Sequence, residues 1–356
     1  MAPTIYDIAR QAGVSITTVS HALSGRGRVS PATRERILRL AAEIGYAANP
    51  HARSLVSGRS WTIAIQVAGF TTEHSGGMLL PDAAYFMDLL NGAASAAAEN
   101  DYAIVLAPYD FNPIGGQHLA LDGAVIVDPS GEEALAVALA ERGLPVVTTG
   151  RPTRGKMTYP WVDNDHAGTA LRMLGHFAAR GYTRPALIAT TASRSYVADI
   201  VAAYRGWSAE HGLDPRIVEL PEPPSERAAA RAARRLLSGD DPPDAIFATY
   251  DRLAMGVLLA AQRLGIPVPG GLGLASAVDS DLLRRISPSV TSVSLNARGI
   301  GRIAVEVLVS MIEASEPAQS GIVVATRILP RTSTAARGGG QAAAANDPRA
   351  AGTLRS

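Results

Sequence analysis

The chain contains no cysteine. Disulfides and thiolate metal sites are therefore excluded, which suits a reducing compartment. No apolar run reaches the roughly 20 residues that span a bilayer, so no membrane partner is expected. The N-terminus lacks a charged start followed by an apolar signal region, so export is not expected and a cytoplasmic location is. Catalytic signatures are missing too. There is no G-x-S-x-G, H-E-x-x-H or G-x-x-x-x-G-K, and the seven histidines show no metal-ligand spacing. Neither an enzyme nor a cofactor is expected. What remains is a chain of 356 residues, 47% hydrophobic and 18% charged. That suffices for one small domain and two ordinary ones.

The stretch TIYDIARQAGVSITTVSHAL, from Thr4 to Leu23, reads as two short helices around a turn at Gly13. Thr4 is a good N-cap, and Asp7 stands three residues on, close to the capping-box pattern. Ile5, Ile8 and Ala9 give the first helix an apolar face. Gly13 can take the left-handed conformation that ends a helix, and Val14 plugs the core. Ser15 is the N-cap of the second helix, whose Val19 and Leu23 face inward. Thr17, Ser20, His21 and Ser24 lie opposite, a face with hydrogen-bonding groups and no acid, as a major-groove reader requires. Ile16 either joins that face or, three residues before Val19, the core. Ser30-Pro31 opens a third helix with an inner stripe of Ile37, Leu40, Ala41 and Ile44, closed by Gly45.

Charge is uneven along the chain. Residues 1–60 hold eight arginines against Asp7, Glu35 and Glu43, a net +5, whereas the whole chain carries +1 and the remainder therefore −4. A basic head on an acidic body is the footprint of a head that meets phosphate. The alternative is a solvated arginine face.

The order D-I-A-x-x-A-G-V-S, T-V-S, V-S-x-x-T-R, G-Y-x-x-N and A-R-x-L over the first 60 residues resembles the N-terminal domain of the lac-repressor (LacI/GalR) family. The resemblance implies a transcriptional regulator, taken here as a repressor, that binds a palindromic operator as a homodimer. Carried onto this chain, Ile16, Thr17 and His21 would meet base edges. Tyr6, Ser15, Thr18, Ser20, Arg28, Ser30 and Thr33 would meet phosphates. Residues 49–60 read by themselves as a linker too short for a stable helix. The resemblance makes them a hinge that becomes helical on DNA, with Ala52 and Leu55 entering the minor groove.

From Trp61 the pattern turns to α/β. The runs WTIAIQV, YAIVLAP, GAVIVD, PVVTT, PALIAT and DAIFATY are of buried parallel-strand type. Helical stretches separate most of them, which predicts a doubly wound parallel sheet split into two lobes. This part also resembles the family, whose body is like a two-lobed periplasmic sugar-binding protein. The expected plan is a helix-turn-helix head over 1–48, a hinge over 49–60 and a body over 61–336. Lobe 1 takes about 61–160 and 292–322, lobe 2 about 161–291 and 323–336, and a Gly/Ala-rich tail over 337–356 is expected to be disordered. Only Asp110 to Leu121 joins YAIVLAP to LDGAVIV, short for a helical crossover, so one family helix is expected to be shortened or missing.

Ligands of such folds bind at the carboxyl ends of strands, between the lobes. The candidates for a small-molecule effector are Tyr85, Phe86, Asp163, Tyr196, Asp199, Tyr250, Asp251 and Asp279. Each has a loop or capping alternative, most directly Asp251, which stands at a helix start. Three positions depart from the family. Its arginine on the helix ending at Gly206 aligns with Ala203, the first aspartate of its G-[FY]-D-D loop is Val278, and the asparagine before Asp251 is Tyr250. The expectation is a more aromatic pocket whose effector is not an ordinary hexose. A solute-binding protein would explain the body but not the basic head, and an architectural DNA protein would not need the body.

Overall fold

The computed structural model describes residues 3–24, 27–46, 58–67, 83–107, 120–129, 131, 133–155, 159–191, 194–314 and 321–336. Ala52, Leu55, most of the hinge, most of the short connection before LDGAVIV and the tail over 337–356 lie outside these. The chain falls into two compact units, Met1–Trp61 and Thr62–Ser356.

Among the described residues the head has three helices, α1 (Ile5–Ala12), α2 (Ile16–Ser24) and α3 (Pro31–Glu43). Asp7 accepts from the Thr4 N–H at 2.9 Å and from its hydroxyl at 2.7 Å, and Gly13 closes α1 at φ 64°. Ser15 accepts from the Thr18 N–H at 3.1 Å, and Ser30 from the Thr33 N–H at 3.2 Å. Both caps satisfy donors that a helix start leaves open. Ile8, Val19 and Ile37 are fully buried, with Ala9, Ala12, Ala22 and Ala41 around them. The Arg36 guanidinium donates to the Ala12 carbonyl at 2.9 Å, tying α3 to the end of α1.

The second unit holds two parallel sheets. The first sheet is built from β1 (Thr62–Val67), β2 (Ala103–Ala107), β3 (Gly123–Val127), β4 (Val146–Thr149), β5 (Trp161–Asn164) and β11 (Gly321–Val324), in the order β11-β5-β4-β3-β1-β2. The second is built from β6 (Pro185–Thr190), β7 (Ile217–Leu220), β8 (Ala245–Ala248) and β9 (Gly273–Ser276), in the order β7-β6-β8-β9. Strands β3, β4, β6, β8 and β9 are buried along their whole length, as strands covered on both faces must be. A short antiparallel ribbon, β10 (Ser292–Ser294) with β12 (Arg327–Leu329), adjoins the second sheet through a bridge from Thr291 to Ala275.

Helices cover both sheets: α4 (Ala83–Glu99), α5 (Ala134–Glu141), α6 (His166–Ala178), α7 (Ser195–Glu210), α8 (Glu226–Leu237), α9 (Asp251–Arg263), α10 (Asp281–Arg285) and α11 (Ala297–Ala314). Helices α4 and α11 cross closely enough that a Cβ at Gly301 would lie 2.0 Å from the Leu89 carbonyl oxygen.

The lobe boundaries differ from the sequence expectation. Strand Trp161–Asn164, assigned above to lobe 2, pairs with β4 and β11 in the first sheet. The whole of Gly321–Val324 belongs there as well, and the return to lobe 1 starts after Leu295 rather than at 292, because Val290 and Val293 sit in the second lobe's core. The cause is that crossovers follow strand pairing, which composition does not reveal. Helix α7 also runs past Gly206 to Glu210.

Candidate functional site

In the head, α2 exposes the residues singled out for DNA. Ile16 is 41% exposed, so it is not core, and Thr17 is exposed beside it. Ser20, Thr18 and His21 are half-buried. The His21 ring lies against the turn: a Cβ at Gly27 would stand 2.4 Å from His21 Nδ1, and Gly27 has φ 74°. Tyr6 is 67% exposed, and Ser15, Arg28 and Ser30 are exposed. The Ser15 and Ser30 hydroxyls each pair with a threonine hydroxyl, of Thr18 and Thr33 respectively, at 2.8 Å. Ser15 and Ser30 stand at the starts of α2 and α3, where the helix dipole favours phosphate.

In the body, strand ends and helix starts of both lobes line one cleft. From lobe 1 come Tyr85, Asp128, Thr149, Gly150, Val162, Asp163 and Ile300. From lobe 2 come His166, Arg194, Tyr196, Tyr250, Val278 and Leu295. Asp128, Gly150 and Tyr250 each follow a strand, β3, β4 and β8 in turn, and Arg194 is the residue before α7.

Asp163 is 5% exposed and fully engaged. Its Oδ1 accepts from the Asn164 N–H at 2.7 Å and pairs with His166 Nε2 at 2.9 Å. Its Oδ2 accepts from the Ser195 hydroxyl at 3.1 Å and from Arg151 Nε at 3.4 Å. Burial pushes this carboxyl up, but the bond with His166 and those from Asn164 and Ser195 outweigh burial and hold it below the ordinary carboxylate range. Arg151 also pairs with Asp199. Burial outweighs that attraction and raises the Asp199 carboxyl.

On the facing wall the Tyr196 hydroxyl donates to that of Tyr250, their rings edge to face at 5.6 Å. Burial, first of all, pushes Tyr250 up to about 12 and Tyr196 well above its ordinary value. Both phenols are therefore neutral and act only through hydrogen bonds. Arg194, 8% exposed, donates to the Asp128 carbonyl at 2.9 Å. Desolvation raises the Asp128 carboxyl, with Arg194 opposing.

Of the eight effector candidates, Tyr85, Asp163, Tyr196 and Tyr250 line this cleft. Phe86 does not, being 3% exposed and turned into the protein. Asp199 stands behind the wall with Arg151. Asp251 opens α9 and accepts from the Arg252 N–H at 2.6 Å, the helix-start alternative. Asp279 lines a neighbouring cavity with Tyr85 and Asp88. It is held by Ser292 at 2.6 Å, Arg331 at 2.7 Å and Arg284 at 2.8 Å. Burial pushes its carboxyl up, and these bonds outweigh burial to hold it low. The sequence reading missed Asp128, Thr149, His166 and Arg194. Asp128 ends the run GAVIVD, so the strand-end rule that reached Asp163 reaches it too. Beside the aromatic rings of Tyr85, Tyr196 and Tyr250, Asp128 and Arg194 place charge in the cleft.

Residues 4–49 match the family described as bacterial regulatory proteins, lacI family, and residues 174–334 match a periplasmic binding protein-like domain. The chain thus joins a lacI-family segment to a periplasmic binding protein-like domain. Relatives match along nearly the whole chain. Catabolite control protein A of Priestia megaterium is 28% identical over 342 residues, 93% of this chain and 99% of its own. The structure of the transcriptional regulator CelR in complex with cellobiose aligns with a TM-score of 0.66 at 25% identity, covering 93% of this chain and 99% of that one. The lac repressor dimer bound to operator and the anti-inducer ONPF aligns with a TM-score of 0.71 at 19% identity, covering 94% and 100%. Among the described residues no helix is long and apolar enough to cross a membrane, and no cluster of ligands could hold a metal.

Proposed function

We propose that this protein is a cytoplasmic homodimeric transcriptional repressor that reads a palindromic operator and is controlled by a small molecule between the lobes. The observation that carries this is the joining, in one chain, of a reader helix exposing Ile16 and Thr17 to a two-lobed body with a lined cleft. Ile16, Thr17 and His21 meet base edges, His21 with its ring braced on Gly27. Tyr6, Ser15, Thr18, Ser20, Arg28, Ser30 and Thr33 set register on phosphates. Ala52 and Leu55 act as the minor-groove wedge. The relatives support the reading: CelR is named for a cellobiose complex and the lac repressor for an operator complex.

An effector shifts the lobes only through its different affinity for their two arrangements. Ala203, Val278 and Tyr250 stand where the family resemblance implies polar hooks, so the effector is read as other than a simple hexose. A saturable thermal shift with a simple hexose contradicts that part. The regulator reading is tested by selecting bound sequences from random duplex DNA, with the full-length protein and with Leu55→Ala in parallel. A twofold-symmetric consensus that weakens in the variant supports both reader and wedge. No enrichment from either protein contradicts the reading.

A further inference from the structure

Two strand ends of lobe 1 reach the cleft side by side. Val127 and Thr149 are register partners in adjacent parallel strands, and the Asp128 N–H donates to the Thr149 carbonyl at 2.8 Å. Thr149 is 1% exposed, and among the described residues its hydroxyl has no hydrogen-bond partner. Buried hydroxyls in folded proteins are paired, so one left open at a cleft calls for an occupant. Its neighbour is also unmet. Among the described residues no group donates a hydrogen bond to the Asp128 carboxylate. The nearest cation, Arg194, stands 4.0 Å from Oδ2 and gives its hydrogen bond to the Asp128 carbonyl instead. Asp128 also holds φ 50°, a left-handed conformation that aspartate adopts more readily than most residues.

The contrast with Asp163 is direct. Asp163 faces the same cleft, but both its oxygens are filled from within the protein. It positions the wall and has little left for a ligand. Asp128 and Thr149 have everything left.

We propose that Asp128 and Thr149 form the polar end of the effector cleft and take a ligand that presents hydrogen-bond donors and carries no net negative charge. This rests on the reading that the cleft holds an effector. Charge sets the second half of the statement. Among the described residues, Asp128 and Asp163 line the cleft with Arg194, and Arg151, shared between Asp163 and Asp199, leaves one carboxylate in excess. An anion would bring a further negative charge into a poorly solvated space. Burial, first of all, raises the Asp128 carboxyl, and the nearby Asp163 adds to that. A ligand hydroxyl or amine given to Asp128, with a second polar group at Thr149, supplies the missing partners. Val162, Val278, Leu295 and Ile300 are left to take the ligand's carbon face.

The experiment compares full-length wild type with Thr149→Val and Asp128→Asn by thermal melting, without ligand or DNA. Groups kept for a ligand serve the empty protein poorly, so both variants are expected to melt at or above wild type. If both melt clearly below wild type, the two side chains are satisfied within the fold and the proposal is overturned. A second arm titrates wild type and Arg194→Gln with glucose 6-phosphate and with inorganic phosphate. No saturable shift is expected. A saturable shift lost in Arg194→Gln would place an anion in the cleft and overturn the charge assignment. The regulator reading is tested apart from this, by duplex selection, so the failure of either is recognised separately.

Discussion

The side-chain amide of Asn164 donates to the backbone carbonyl of Val324 at 2.8 Å, and also to that of Leu295 at 3.1 Å. These three residues stand at the three points where the chain passes between the lobes. One buried amide thus ties every crossover to the others, and any rotation of one lobe on the other passes through it. Asn164→Ala leaves two carbonyls short of a donor in a buried place, a loss of about 1–3 kcal/mol. Denaturant unfolding of the full-length protein is expected to show it. An unchanged midpoint contradicts the role.

The crossing of α4 and α11 predicts opposite signs for one substitution at two glycines. Gly301→Ala drives a Cβ to 2.0 Å from the Leu89 carbonyl oxygen, so the helices must part and stability falls by several times 1 kcal/mol. Gly206→Ala, inside α7 with nothing near its Cβ, gains about 0.5–1 kcal/mol from helix propensity alone. Melting temperatures of the two variants check this. Equal effects contradict it.

How much of this was legible in the sequence varied with the physics of each element. Buried parallel strands such as PALIAT read as unbroken apolar runs, and the structure places them where the runs lie. Ile217–Leu220 escaped notice because it is a partly exposed edge strand carrying Glu219. Asp163 and Tyr250 were found from strand ends. Arg194 was not, because it ends no strand and meets Asp128 only through tertiary folding, from 66 residues away in sequence. Phe86 and Asp251 were misplaced because a residue's number on a helix does not tell which way its side chain turns.

His176 gives the fold a pH dependence. Burial, with Arg180 beside it, lowers its imidazole from 6.5 to about 4. The unfolded chain therefore binds the proton more tightly, and stability falls as pH falls from about 6.5 toward 4. His176→Gln is expected to lose that part of the slope, read as melting temperature against pH. A slope unchanged between variant and wild type contradicts it. Asp163, held low, adds a separate loss only further into acid, as pH drops through its depressed value.

On DNA, Thr17 and Arg28 are expected to separate two kinds of contact. Thr17→Ala relaxes preference at one position of each half-site by about 1–3 kcal/mol. Arg28→Ala weakens specific and non-specific duplexes alike and lowers the salt slope by about one. Binding isotherms at several salt concentrations distinguish them. A loss at Arg28 confined to the specific duplex contradicts its phosphate role.

The central claim is that two copies of the head read one symmetric site. The most direct measurement is fluorescence anisotropy of the full-length protein on its selected duplex and on the same duplex with one half-site scrambled. A dimeric reader loses about a thousandfold or more in affinity on the scrambled duplex. Equal binding to both would mean that a single head suffices, and would contradict the account.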